Sequence, residues 1–243
     1  MSTLELLEKR KHVLKYNLET NPPKETIEKV LWKAWKVTPS KQKMMAYSIF
    51  VLGPEKISEK YLVYKKVIQN HADAEYRAAE MGKKDTSDFI EDKGEFYKKY
   101  FNKPNKDYFH IAENSYLIIF TSRVVTKTNA YNEAQQKNAA RSDPHFHSRS
   151  FFDQMHESHV HRIKDSVSVE VGLFAQNLTA FCMEEEIDIS YASCFVRDLT
   201  QWGNLPFIKY EPRLLISLGY GQQYRNRGQH DLKPEPEEII KWI

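Results

Sequence analysis

The order of apolar patterns in these 243 residues predicts an α+β fold. Two observations carry that reading. Amphipathic helical stretches flank a few short strand-like runs, and the regular βα alternation of a doubly wound sheet is absent. A third bears on the core: hydrophobic residues make up 41% of the chain, enough for a sizeable interior.

Residues 3–13 read as helical, and 16–23 as a connection in which Pro22-Pro23 marks the stop before the next helix. Residues 24–36 place Ile27, Val30, Leu31 and Ala34 at i, i+3, i+4 and i+7, one face of a helix. A strand over 46–52 closes at Gly53-Pro54, and a charged helix over 57–81 stops at Gly82. Residues 83–113 are polar and aromatic, a loop with short helical pieces. The run 115–125 is rich in β-branched types and bounded by polar residues, the best strand in the chain. Over 167–186, Val167, Val171, Phe174, Leu178 and Phe181 share a helical face. Val169, Leu173 and Ala180 occupy others, so this helix is expected to be buried on most sides. Residues 189–195 and 213–219 read as further buried strands, and 220–243 as an extended tail, basic early and ending in a short acidic-apolar turn.

Charge and cysteine usage narrow the function classes. Net charge is +3, from 36 basic and 33 acidic residues, a balance that argues against a dedicated nucleic-acid binder. The two cysteines, Cys182 and Cys194, are too few for a disulfide framework and point to a reducing compartment. No apolar run approaches the roughly 20 residues that span a bilayer. The charged opening has no apolar signal segment, so a soluble cytoplasmic protein is expected. Aromatics reach 13%, which suits an ordinary core and also flat-ligand stacking or a large dimer interface.

Several clusters could carry chemistry. Arg10, Lys11 and His12 set three donors side by side. On their own they read as a solvated basic face, although a phosphate also needs several N–H donors and a cation. The loop after 24–36 carries Lys41 and Lys43, more polarity than a plain connection requires. The histidines at 145, 147, 156, 159 and 161 lack a cysteine or clustered acid to complete a tetrahedral set, so no metal is assigned. Cys194 has no Cys-x-x-Cys partner and reads as a buried, inert thiol.

The order of pieces, with several short motifs, resembles the FMN-dependent nitroreductase family over essentially the whole chain. "KRKHVLKY" (9–16) resembles the family's opening, where an Arg and its neighbours grip the flavin phosphate. "TPSKQKMMAYSIFV" (38–51) resembles its Ser-Pro-Ser loop and following strand. "NSYLIIFTSRV" (114–124) looks like the central strand. "FFDQMHESH" (151–159) resembles a Phe-Phe-x-x-Met-His segment of the classical bacterial, oxygen-insensitive branch. "VEVGLFAQNLTAFCMEEEIDISYASCF" (169–195) is similar to the central helix and the strand that ends beside the flavin ring. "PRLLISLGYGQQ" (212–223) looks like the strand before the C-terminal arm.

The resemblance implies a single nitroreductase-like flavin-binding domain over 1–243, with an arm over about 220–243. Its central sheet is mainly antiparallel, flanked by helices, and the domain is completed by dimerisation. The implied function is an FMN-dependent NAD(P)H oxidoreductase acting on nitroaromatic, quinone or similar electron-poor acceptors by ping-pong hydride transfer. The alternatives are a degenerate flavin- or ligand-binding member without turnover, or a flavin-consuming enzyme of the same fold. The implied cofactor residues are Arg10, Lys11, His12, Pro39, Ser40, Lys41, Lys43, His110, Ser193, Cys194, Arg225, Arg227 and Lys233, with no side chain needed as acid or base. The pattern departs at Leu14, where the family has a basic residue near the flavin, and at Lys43, Met45 and Ala46-Tyr47, where it has Asn, Gln and Pro-Trp. It also departs at Asp107 and His110, where it has Asn and Lys.

Overall fold

The computed structural model describes residues 3–40, 45–82, 110–122, 167–225 and 236–241. Its elements run α1 (Thr3–Glu8), β1 (Val13–Asn17), α2 (Lys24–Val37), β2 (Tyr47–Leu52), α3 (Ile57–Gly82), β3 (Tyr116–Ser122), α4 (167–184), β4 (Asp188–Ala192), β5 (Pro212–Tyr224) and α5 (Pro236–Ile239). The sheet is five-stranded, ordered β1-β5-β3-β2, with β4 also paired to β5. Every described pairing is antiparallel. β5 is the hub: Leu214 to Leu218 pair with β3, Leu215 to Gly219 with β4, and Tyr220 to Tyr224 with β1.

Period-two alternation divides the core into two layers. From β3, Ile118 and Phe120 join Ile216 and Leu218 of β5 beneath α2 and α4, with Val171, Phe174 and Leu178 of α4 above them. Leu117 and Ile119 face the other way, into a layer with Val63 and Val67 of α3 and with Phe195, Trp202 and Leu205. Both faces of the sheet are covered, which is why β3 reads as a continuous apolar run rather than an alternating one.

α2 buries Ile27, Val30 and Ala34, the face expected from its spacing. It ends where the Thr38 N–H and hydroxyl both donate to the Ala34 carbonyl, and Pro39 prevents continuation. α4 ends in a Schellman arrangement: the Ile187 N–H donates to the Cys182 carbonyl and the Glu186 N–H to that of Met183. Glu186 holds the left-handed position there, at φ 56°.

The structure corrects several expectations. The helix over 3–13 stops at Glu8, and 13–17, read as helix end and connection, form β1. A short strand of this kind gains nothing locally; pairing with the end of β5 creates it. β5 runs on to Tyr224 for the same reason, so the tail begins later than residue 220. β4 covers Asp188–Ala192, not 189–195, because its ladder with β5 ends at Ala192–Leu215. α4 is not buried on most sides within one chain, since Val169 is 63% and Leu173 42% exposed. The loop 83–109, the histidines at 145–161 and the "FFDQMHESH" segment lie outside the described residues.

Candidate functional site

The segment 10–12 crosses from α1 to β1, and each residue rests on a different support. The Arg10 guanidinium carbon lies 5.4 Å from the centroid of the Tyr191 ring. Lys11 Nζ lies 5.2 Å from that of Tyr224. The His12 ring meets the His110 ring edge-on at 5.2 Å. Backbone bonds hold the segment in place: the Arg225 N–H donates to the His12 carbonyl at 2.8 Å, and the Val13 N–H to Ser190 Oγ at 2.8 Å. No carboxylate among the described residues pairs with Arg10.

Both supporting tyrosines are themselves fastened. Tyr191, on β4, donates to the Ala175 carbonyl and bonds the Thr179 hydroxyl, so its ring is tied to α4. Burial pushes its hydroxyl pKa up. Tyr224, at the end of β5, donates to Asp188 Oδ2 at 3.0 Å, and the Gly221 N–H reaches the same oxygen at 2.8 Å. Burial and that carboxylate push the Tyr224 hydroxyl up to about 12. The ring folds back over Gly221, where an added Cβ would lie 2.7 Å from it.

His110 is 1% exposed, with Nδ1 3.3 Å from Ser217 Oγ. Burial pushes its pKa down to about 3, and the charges of His12 and Arg225 act in the same direction. It is therefore neutral at physiological pH, where the resemblance places a lysine. The Asn114 amide donates to the His110 and Ile111 carbonyls and fixes this turn. Lys60, also 1% exposed, donates in turn to the Asn114 and Ser115 carbonyls at 2.7 and 2.9 Å. Burial lowers the Lys60 pKa to about 8.

The structure brings together His12, His110 and the backbone of Arg225, with Arg10 two positions before His12 and over Tyr191. Ser193 and Cys194 are exposed just past the last β4–β5 rung, two and three positions after Tyr191. Cys194 is thus exposed rather than buried, because the strand ends before it; the buried thiol is Cys182. Lys11 is carried to the end of β5. Pro39 is exposed beside Ser40, whose hydroxyl donates to Glu170 Oε2 of α4 and accepts from the Met45 N–H. The Asn177 amide donates to Thr38 Oγ1, so α4 grips this loop at two points. Lys41, Lys43, Arg227 and Lys233 lie outside the described residues. Sequence reasoning passed over Tyr191, Tyr224, Asp188 and the facing pair Ser190–Ser217. Only those two serines carried a signal, as polar interruptions opposite each other in apolar strands.

The sequence matches no family model and no curated protein. Solved structures match it over essentially its full length. A nitroreductase family protein from Streptococcus pneumoniae superposes with a TM-score of 0.60 at 14% identity, covering 100% of both chains. A nitroreductase-like protein from Streptococcus mutans gives 0.59 at 15%, covering 99% of this chain and 97% of that one. A protein from Exiguobacterium sibiricum, named as a candidate nitroreductase and solved in complex with FMN, gives 0.58 at 12%, covering 100% and 98%. The chain therefore has the nitroreductase-like α+β fold.

Proposed function

We propose that the chain is a single-domain FMN-dependent NAD(P)H oxidoreductase, working as a homodimer with two flavin sites at the subunit interface. The observation that carries this reading is the Arg10 guanidinium, unpaired by any described carboxylate, close to the exposed, ladder-free end of β4. A planar cation with open donors suits a phosphate, and backbone groups past a strand end suit the edge of a flat heteroaromatic ring. The residues present fit FMN on those grounds.

Arg10 and Arg225 would hold the phosphate, joined by Arg227 or Lys233 of the arm. The backbone at Ser193 and Cys194 would meet the ring edge, and Pro39, Ser40, Lys41 and Lys43 would line the ring. Ser40 has committed its hydroxyl to Glu170 and Met45, so its part is to fix the shape of that loop. His110 acts through His12 rather than by direct contact, because it is buried behind that ring. When bound, FMN supplies two-electron hydride transfer from NAD(P)H to a nitroaromatic, quinone or similar acceptor by a ping-pong route. The chain orients the cofactor and keeps cations at its anionic end.

The outer surfaces of α2 and α4 support the dimer. Trp32 and Trp35 stack edge to face in the open, and Val169 and Leu173 stand bare on α4. Paired apolar faces of this kind are the usual material of permanent interfaces.

The purified protein is expected to be yellow, and NADH or NADPH is expected to bleach it without oxygen. Bound flavin that neither nucleotide reduces would select the ligand-binding alternative, and a protein that takes up no flavin would end the reading. Light scattering at micromolar concentration is expected to give a dimer; a stable monomer would remove the shared-site arrangement.

A further inference from the structure

The two adjacent cations at the start of β1 are carried in different directions. Arg10 lies over Tyr191, near the C-terminal end of β4, and Lys11 lies over Tyr224, whose hydroxyl is tied to Asp188 at the N-terminal end of that strand. Asp188 and Tyr191 are three positions apart, about 10 Å along an extended chain. Each ring is pinned from behind, Tyr191 to Ala175 and Thr179 of α4, Tyr224 to Asp188 and the Gly221 carbonyl. A guanidinium resting on an aromatic face keeps its edge donors free, because the face engages its π system and not its N–H groups.

We propose that Tyr191 is a positioning residue, its pinned ring aiming the Arg10 guanidinium at the anionic group of the ligand, while Lys11, drawn away by Tyr224, takes no part in that contact. The inference rests on the flavin reading for the identity of the ligand, but not for the direction in which Arg10 points. The stack replaces side-chain freedom that a long Arg would otherwise lose on binding. Tyr191 touches no phosphate itself. Its effect must therefore appear only for ligands that carry one.

The test compares FMN and riboflavin affinities of the purified full chain by fluorescence quenching, across Arg10→Ala, Lys11→Ala, Tyr191→Leu, Tyr191→Phe and Tyr224→Leu. Thermal melts accompany each variant. Arg10→Ala should lower the FMN-to-riboflavin affinity ratio by at least about tenfold, the scale of a charge-assisted bond. Tyr191→Leu should lower it by about two- to fivefold, the fold-change of one cation–π contact. Tyr191→Phe keeps the aromatic face but loses the hydroxyl that pins it, so its ratio should fall between those of Tyr191→Leu and the wild type, which also protects the test if Tyr191→Leu folds poorly. Lys11→Ala and Tyr224→Leu should leave the ratio unchanged.

Equal losses for FMN and riboflavin in Tyr191→Leu and Tyr191→Phe would reduce Tyr191 to a packing residue and overturn the proposal. A Lys11→Ala loss as large as that of Arg10→Ala would overturn it too. If the wild type binds neither flavin, the flavin reading fails separately. The same variants are then titrated with inorganic phosphate by ³¹P line broadening: the same order of losses supports the proposal, and no binding or an altered order overturns it.

Discussion

Two buried or half-buried cations in this chain meet opposite fates. Lys60 is enclosed between α3 and the turn before β3 and spends its ammonium on two backbone carbonyls. Arg10 is half-buried, its guanidinium over a tyrosine ring, with no described carboxylate beside it. The first charge completes the fold; the second is left over. The difference teaches how to separate a structural cation from a candidate for binding: ask where its donors go, because a buried ammonium must satisfy them within the fold and a guanidinium meant for a ligand must not. The two regions are connected, since the Asn114 turn held by Lys60 also sets His110 behind His12.

The largest expected effect breaks the Lys60 side. Lys60→Met keeps the bulk but strands the Asn114 and Ser115 carbonyls, at a cost of about 1–3 kcal/mol for each group left unpaired. Urea unfolding should show the loss in full, and a variant as stable as wild type would mean that the carbonyls find other donors. Arg10→Ala, by contrast, should leave the unfolding midpoint nearly unmoved.

The next effect concerns His110, which links the regions. Its folded pKa, about 3, lies below the ordinary histidine value. The unfolded chain therefore takes up a proton that the folded chain refuses, so this residue's contribution to stability is present above pH about 6.5 and lost as pH falls toward 3. Within that window the slope is up to about 1.4 kcal/mol per pH unit. His110→Gln should flatten the acid limb of the stability profile; an unchanged limb would assign it to carboxylates.

A smaller effect tests how β1 closes over the hub. A Cβ on Gly219 would lie 2.8 Å from the Tyr16 ring and from Ser115 Oγ. Gly219→Ala should cost about 1–3 kcal/mol by overpacking, and should disturb the Arg10 segment through β1. Loss of stability with flavin binding intact would show that β1 adjusts independently of the segment that precedes it.

The smallest involves neither cation. Glu186 occupies the left-handed position closing α4, so Glu186→Gly should raise stability by up to about 1 kcal/mol, read as a higher melting temperature. A decrease would mean that the carboxylate contributes more than the backbone strain removes.

Much of this was legible in the sequence because it is local. The i, i+3, i+7 spacing of Ile27, Val30 and Ala34 defines α2, and a charged helix from residue 57 to Gly82 needs only its own periodicity and a stop. The apolar run Leu117 to Phe120 announces a strand buried on both faces. Motif resemblance singled out Arg10, His12, Ser193 and Cys194 as positions along the chain; the structure sets Arg10 over Tyr191, His12 against His110, and Ser193 and Cys194 past the end of β4.

What the sequence alone could not decide depends on partners far away in it. Val13 to Asn17 are a strand only because Tyr220 to Tyr224 lie beside them, some 200 residues later. Lys60 sits on a helix that reads only as highly charged, and the carbonyls that hold it come from the distant Asn114 turn. Nothing in "ISYA" or "QQYR" distinguishes Tyr191 and Tyr224 from the chain's other tyrosines. Chain order places Arg10 and Lys11 as neighbours with like charge; tertiary packing separates them by fastening one ring to α4 and the other to Asp188. Periodicity determines elements, because their hydrogen bonds and faces repeat within a few residues. Which cation spends its donors within the fold is settled by acceptors that meet it only when the sheet is assembled.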